Sequence, residues 1–252
     1  MKARMKAPGW MTARPIAHRG LHDIARGIVE NSPSAALAAI SHGFGIECDV
    51  QLTSDSEAVV YHDFELDRLT TSTGLVDKMT AASLGRLTMR GTTDTIMPLA
   101  GFIGLIAGRV PLVIEVKSRF NGDLRLTHRV ADIVKRSTNP IVLKSFDPVV
   151  VAALHDLTPD HARGIVAMQD YAYPDYKTCS ADEKRAMANL LHFTTSRPDF
   201  ISWRVRDLPS AAPYLCRAAL GLPVMTWTVR TPEDRVLAAA HADQMVFEGF
   251  IP

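Results

Sequence analysis

Seven residues with catalytic chemistry stand at the ends of apolar runs, or inside them. His18 and Arg19 close "PIAHRG" (15–20), and His62 closes "AVVYHD" (58–63). Glu47 and Asp49 sit in "GIECDVQL" (45–52), Glu115 and Lys117 in "PLVIEVKS" (111–118). In a strand, residues two apart share a face. Glu47, Asp49 and Gln51 therefore point away from Ile46, Cys48, Val50 and Leu52. Glu115 and Lys117 share a face with Val113, opposite Leu112, Ile114 and Val116. Charges in such strands are costly to bury without a partner or an ion. Alone, a carboxylate pair of this kind is more often a solvated edge face, and a strand-end His more often structural. Convergence on one site changes the reading. Carboxylates at Glu47, Asp49 and Glu115 are hard oxygen ligands suited to Mg²⁺ or Ca²⁺ rather than zinc. Arg19 can grip a phosphate by two hydrogen bonds and Lys117 can add a point charge. His18 and His62 supply an acid and a base. That set suits cleavage of a phosphodiester.

Strand–helix alternation is what can bring these residues together. The pattern predicts strands at 15–18, 46–52, 58–62, 111–117, 141–145, 164–168, 200–203, 223–229 and 244–247. Helices fall near 98–107, 122–136, 147–155, 181–192, 210–220 and 232–240. The clearest helix start is "NSPSAALAAISHG", where Asn31 or Ser32 caps, Pro33 opens and Gly43 terminates. Alternation over 252 residues predicts one α/β domain spanning 1–252, a TIM-type parallel barrel whose strand ends build the site. A doubly wound open sheet is the alternative. Only "SDSE" separates the second and third strands, so they form an antiparallel hairpin and make the barrel irregular. Centring its turn on Asp55–Ser56 places Asp49 opposite His62. The stretch 64–98 is weakly periodic and reads as a small cap over the site or an irregular surface connection.

Composition narrows the partners. A formal net charge of +1 gives no case for nucleic acid. Cys48, Cys179 and Cys216, odd in number and widely spaced, fit neither a disulfide framework nor a zinc site and point to a reducing, cytoplasmic compartment. No segment is long and apolar enough for a membrane span. "MKARMKAPGWMTAR" lacks the apolar run of a leader and reads as a frayed tail. Seven further histidines, His22, His42, His128, His155, His161, His192 and His241, read by default as solvated surface.

The motifs in order resemble the glycerophosphodiester phosphodiesterase family. They are "HRG" (18–20), "ENS" (30–32), "ECDV" (47–50), "HD" (62–63), "LDRLTTSTG" (66–74), "IEVK" (114–117), "KSFDP" (144–148) and "TWTVR" (226–230). No one of these decides the matter; their ordered set, over nearly the whole chain, is specific. The resemblance implies an irregular (β/α)8 barrel of the phospholipase-C-like phosphodiesterase type. It implies a divalent cation on Glu47, Asp49 and Glu115, with His18 and His62 as the acid–base pair. Arg19 and Lys117 then take the phosphate of a small-molecule phosphodiester, and Trp227 packs on the substrate or in the core. The implied reaction releases glycerol 3-phosphate and an alcohol, within glycerol and lipid metabolism. Departures from the family pattern include Arg230 for an Asn, Leu69 inserted in the Arg-Thr-Thr stretch, "MPLAGFIG" without two acids, and Glu248 in place of a late Asp. They leave substrate identity more open than reaction class: a lysophospholipid or sugar phosphodiester is the alternative, and a non-catalytic binding barrel a third. Arg230 suggests room for an extra anionic group. Either the substrate's neighbouring hydroxyl, through a cyclic phosphate, or a metal-bound water serves as nucleophile.

Overall fold

The computed structural model describes residues 7–252. Among them, nine strands form one sheet: β1 (Ile16–Ala17), β2 (Gly45–Leu52), β3 (Ala58–Val60), β4 (Leu112–Val116), β5 (Ile141–Ser145), β6 (Arg163–Ala167), β7 (Phe200–Arg204), β8 (Val224–Val229) and β9 (Gln244–Phe247). Their order is β1-β9-β8-β7-β6-β5-β4-β2-β3, and β1 also pairs with β2. That last pairing closes eight strands into a ring in which every pairing is parallel. An open doubly wound sheet is thereby excluded. β3 lies outside the ring, antiparallel to β2.

Period-2 alternation sorts the strand residues into two layers. Ile46, Cys48, Val50, Leu112, Ile114 and Val116 face outward and pack with Phe102 and Val130 of the surrounding helices Leu99–Ile106 and Arg125–Val134. Inside the barrel, Ile16, Val113, Val142, Phe200, Met225 and Val246 form an apolar plug with Met11. Gly164 makes room for it, since the Phe200 ring occupies the space a Cβ there would need. Two residues further along β2, β4 and β5, beyond the plug, the interior becomes ionic.

The hairpin differs from expectation by one residue. Val50 pairs with Val60 and Gln51 with Val59, so Asp49 stands opposite Tyr61, whose N–H donates to the Asp49 carbonyl at 3.0 Å. The turn has three residues, Ser54 to Ser56, and Ser56 adopts the left-handed φ of 59°, the form of a three-residue hairpin loop with a bulge. A one-residue shift exchanges faces. Tyr61 thus enters a buried cluster with Val59, Leu66, Leu84 and Ile96. His62 lies at the cavity. That cluster is the core of segment 64–98, which holds only a 3-10 turn, Val76–Lys78, and a short helix, Ala81–Leu84.

Residues 1–6 of the expected frayed tail lie outside the described residues. The rest is ordered: Gly9–Thr12 makes a 3-10 turn, Met11 is buried, and the Gln244 side-chain amide donates to the Met11 and Arg14 carbonyls. These contacts seal the barrel end opposite the ionic layer. Ser32, not Asn31, caps the helix Pro33–Ser41 by accepting from Ala35 N. Among the described residues, no helix is long and apolar enough to cross a membrane.

Candidate active site

β1 is only two residues long, so His18 and Arg19 leave the sheet immediately. His18 N–H still donates to the Phe247 carbonyl of β9, at 2.9 Å. Arg19 is left-handed, with φ 56°, a conformation that costs a non-glycine residue of order 1–3 kcal/mol. Two hydrogen bonds hold it there: its N–H to Glu47 Oε2 (3.1 Å) and Asn31 N–H to its carbonyl (2.8 Å). Gly20 follows at φ 78°, and a Cβ there would lie 2.8 Å from the Ala35 backbone. The glycine therefore clears the helix Pro33–Ser41.

Glu47, Asp49 and Glu115 converge inside the barrel, with ligand oxygens within 4.8 Å of one another. All three are nearly inaccessible to solvent. Lys117 Nζ bridges Asp49 Oδ1 (2.9 Å) and Glu115 Oε1 (2.7 Å). Lys144 Nζ bridges Glu47 Oε1 (3.0 Å) and Glu115 Oε2 (3.2 Å). The Arg19 Nε lies 3.3 Å from Asp49 Oδ2. Burial alone pushes the acids up and the lysines down, yet their mutual charges win. Asp49, facing Lys117, and Glu115, facing Lys117 and Lys144, are held below the usual carboxylate range, while Lys117 and Lys144 are raised by the acids. Asn31 orients Asp49, donating from Nδ2 to Oδ2 (3.0 Å) and accepting its N–H (3.2 Å).

The three carboxylates fit a hard divalent cation: an all-oxygen donor set with a buried atom, Glu47 Oε1, that lacks a hydrogen bond of good geometry despite the nearby ammonium. A cation there would compete with Lys117 and Lys144 for the same oxygens.

Each of the two predicted histidines is held by a carboxylate. His18 Nδ1 lies 2.5 Å from Glu248 Oε2, and its Nε2 faces Glu47 Oε2 at 4.0 Å. His62 Nδ1 lies 2.7 Å from Asp63 Oδ1. Behind them runs a clamp. Arg68 donates to both oxygens of Asp63 (2.7 and 2.9 Å) and both oxygens of Glu30 (2.9 and 2.8 Å). Glu30 in turn holds Arg19 Nη1 at 2.6 Å. Burial pushes the Glu30 carboxyl up, but Arg68 and Arg19 outweigh it and hold the group down at about 2.

Of the eight predicted site residues, His18, Arg19, Asp49, His62, Glu115, Lys117 and Trp227 line one cavity of about 660 Å³. Glu47 lies just beneath it. The opposite wall is aromatic: Phe146 meets Trp227 edge-on at 5.4 Å and Tyr176 at 5.8 Å, and Phe120 leans on Tyr176 at 5.3 Å. Trp227 is half-buried and its Nε1–H donates to the Ser202 carbonyl at 3.1 Å.

Trp203 is a core residue, fully buried in a cluster with Ile165, Leu190 and Cys216, away from the mouth. Arg204 does line the cavity, paired with Asp207. Arg230 does not line this cavity: its Nε holds Glu248 Oε1 at 2.6 Å and its side chain is half exposed. His22, His155, His161, His192 and His241 are half-buried rather than solvated. Burial lowers His192 to about 4.

Sequence reasoning missed Lys144, Glu248, Asp63 and Arg68 as site residues. Lys144 carried the same signal as Glu115, a charge within an apolar strand ("IVLKSF"). Asp63 stood next to His62. Glu248 and Arg230 are 18 residues apart in the chain and show their pairing only in the fold.

The model of the glycerophosphoryl diester phosphodiesterase family matches residues 18–249. A "probable glycerophosphodiester phosphodiesterase 1" of Mycobacterium tuberculosis is 42% identical over 84 residues, 33% of this chain; that match spans 30% of the relative's length. An uncharacterized protein of Mycoplasma genitalium is 26% identical over 232 residues, 86% of each chain. Two solved structures share the fold. One is an Oleispira antarctica phosphodiesterase in complex with the product sn-glycerol-3-phosphate, with TM-score 0.75, 20% identity, and 93% and 92% of the two chains covered. The other is a Thermotoga maritima glycerophosphodiester phosphodiesterase, with TM-score 0.69, 22% identity, and 93% and 94% covered.

Proposed function

The chain belongs to the glycerophosphoryl diester phosphodiesterase family, and from that premise we propose that it hydrolyses glycerophosphodiesters to glycerol 3-phosphate and an alcohol. The observation that carries the proposal is the pairing of two carboxylate-held histidines across a buried acid–lysine floor in one cavity. A binding barrel has no need of two imidazoles fixed in this way.

Glu248 and Asp63 each accept from a proton-bearing Nδ1. The imidazole that acts as base then carries the lone pair on Nε2, and the one that acts as acid enters as the imidazolium with a proton on Nε2. Each carboxylate stabilises the imidazolium of its own ring. Arg19 and Lys117 hold the phosphate oxygens. One imidazole takes the proton of the hydroxyl beside the phosphorylated carbon, and that oxygen bonds to phosphorus. The other imidazole protonates the departing alcohol oxygen as its bond to phosphorus breaks. Attack from within the substrate avoids recruiting water. Water then opens the five-membered cyclic phosphate, with the two imidazoles exchanging roles. Glu47, Asp49 and Glu115 would hold Mg²⁺ or Ca²⁺, which supplies Lewis-acid neutralisation of phosphoryl charge when bound. Trp227 and the aromatic wall pack the carbon face of the substrate. Segment 64–98 acts as a wall or cap of the same cavity, contributing Phe64 and Arg68.

The test is a panel of glycerophosphocholine, glycerophosphoethanolamine, glycerophosphoinositol and a lysophospholipid, with glycerol 3-phosphate detected enzymatically. It is run after exhaustive chelation and after adding back Mg²⁺, Ca²⁺ or Mn²⁺. Turnover of a glycerophosphodiester only with a cation is expected. Full turnover by metal-free protein would remove the cation from the reaction, and turnover of the lysophospholipid alone would reassign the substrate.

A further inference from the structure

Beside the acidic floor lies a second cluster with a different donor chemistry. His18, His22 and Glu248 place one ligand atom each within 4.8 Å of one another. His18 Nδ1 is 2.5 Å, and His22 Nε2 3.5 Å, from the same oxygen, Glu248 Oε2. The other oxygen, Oε1, is anchored by Arg230 Nε at 2.6 Å. That bond turns Oε2 toward the two imidazoles. His22 is fixed by its backbone, its N–H donating to the Gly20 carbonyl at 3.0 Å. Its Nε2 is buried, and its contact with Glu248 Oε2, at 3.5 Å, is not a hydrogen bond of good geometry. None of the chemistry proposed above uses it.

We propose that His18, His22 and Glu248 form a second metal site, for a borderline transition ion of the Zn²⁺ class, whose occupation withdraws His18 from acid–base work. Two imidazoles and a carboxylate are a donor set of catalytic zinc sites, and nitrogen ligands select such ions over Mg²⁺ or Ca²⁺. Metal–ligand bonds of about 2.0–2.1 Å put tetrahedral neighbours about 3.3 Å apart. The 3.5 Å spacing already meets that, and the 2.5 Å contact opens slightly when an ion replaces its proton. His18 lines the cavity, which gives the ion a path in. The imidazole then has one nitrogen toward each site: Nδ1 toward Glu248 and His22, Nε2 toward Glu47. An ion on Nδ1 fixes the ring and removes the proton through which Glu248 stabilises the imidazolium.

The experiment titrates Zn²⁺ calorimetrically into protein kept in saturating Mg²⁺, which fills the oxygen site. Co²⁺ serves as a visible probe, because a tetrahedral nitrogen-containing site absorbs far more strongly than an octahedral oxygen site. One equivalent of Zn²⁺ is expected, together with Co²⁺ bands that Zn²⁺ abolishes. His22→Ala and the size-preserving His22→Gln should each weaken Zn²⁺ by more than about tenfold, since even an outer-shell partner of a metal ligand is worth about 10–100-fold. Unchanged affinity in both variants, or one-for-one displacement of Zn²⁺ by Mg²⁺, overturns the site. This binding arm does not depend on the proposed reaction. The inhibition arm does: Zn²⁺ should slow phosphodiester turnover by the wild type but not by His22→Gln. Zn²⁺ bound by the wild type without slowing it overturns the withdrawal of His18. Absence of turnover without Zn²⁺ counts against the reaction instead, and the binding arm then decides the site alone.

Discussion

Replacing His18 or His62 by Ala should each lower the chemical step by about 10²–10⁴, the usual contribution of a general acid or base. Stability should change little, since both side chains lie at the cavity. Normal turnover by either variant would make that residue structural. Lys144 carries a different expectation. Its ammonium sits on two of the carboxylates that a cation would take, and a unit charge about 4 Å away contributes about 4 kcal/mol even at an effective dielectric of 20. Lys144→Met should therefore bind Ca²⁺ at least about tenfold more tightly in calorimetry, even if its activity falls. Weaker or equal binding would show that the lysine organises the acids rather than competing for them. At this scale the sequence was legible wherever charge interrupted an apolar strand, as at Glu47, Asp49 and Glu115. The same signal was present at Lys144. It was not legible for Glu248, whose meaning depends on a histidine 230 residues away.

Elements explain which of those side chains can act together. Strands and most helices were readable because alternation and capping are local: "NSPSAALAAISHG" does become the helix Pro33–Ser41. The hairpin register was not, because one left-handed residue, Ser56, decides it. Segment 64–98 was also opaque, having too few periodic residues, yet it delivers Arg68. That guanidinium ties the partner of His62 to the partner of Arg19. Arg68→Ala should lower kcat more than it raises KM, and Arg68→Lys should recover little, because a lysine cannot make two forked contacts. Equal loss by Ala with full rescue by Lys would reduce the role to simple charge. The same clamp has a pH signature. Glu30 is depressed from 4.5 to about 2 in the fold. A depressed carboxylate stabilises the fold fully above its unfolded value and loses that contribution as pH falls from about 4.5 to about 2. The contribution is up to about 3 kcal/mol. Urea unfolding of wild type and Glu30→Gln across that window should give a shallower acid limb for the variant; parallel limbs would contradict the clamp.

For the molecule as a whole, the closed ring was the most legible property, since nine strands alternating with helices over 252 residues leave few other solutions. Ring closure also sets the chemistry's geometry by stacking an ionic layer directly on an apolar one. A substrate analogue with hydrogen in place of the neighbouring hydroxyl should bind in the cavity yet scarcely turn over. Cleavage near the natural rate would assign the attack to water.

The plug of Ile16, Val113, Val142, Phe200, Met225 and Val246, with Met11 beneath it, makes the barrel a blind alley. Whatever enters must leave by the door it came through. On the proposed reaction, the released alcohol would have to clear the mouth before fresh substrate could reach the floor, and glycerol 3-phosphate, held by Arg19 and Lys117, would be the slower to go. Traffic through a single opening would then make accumulated product a rival for the same berth and tie turnover to how quickly the surroundings carry that product away.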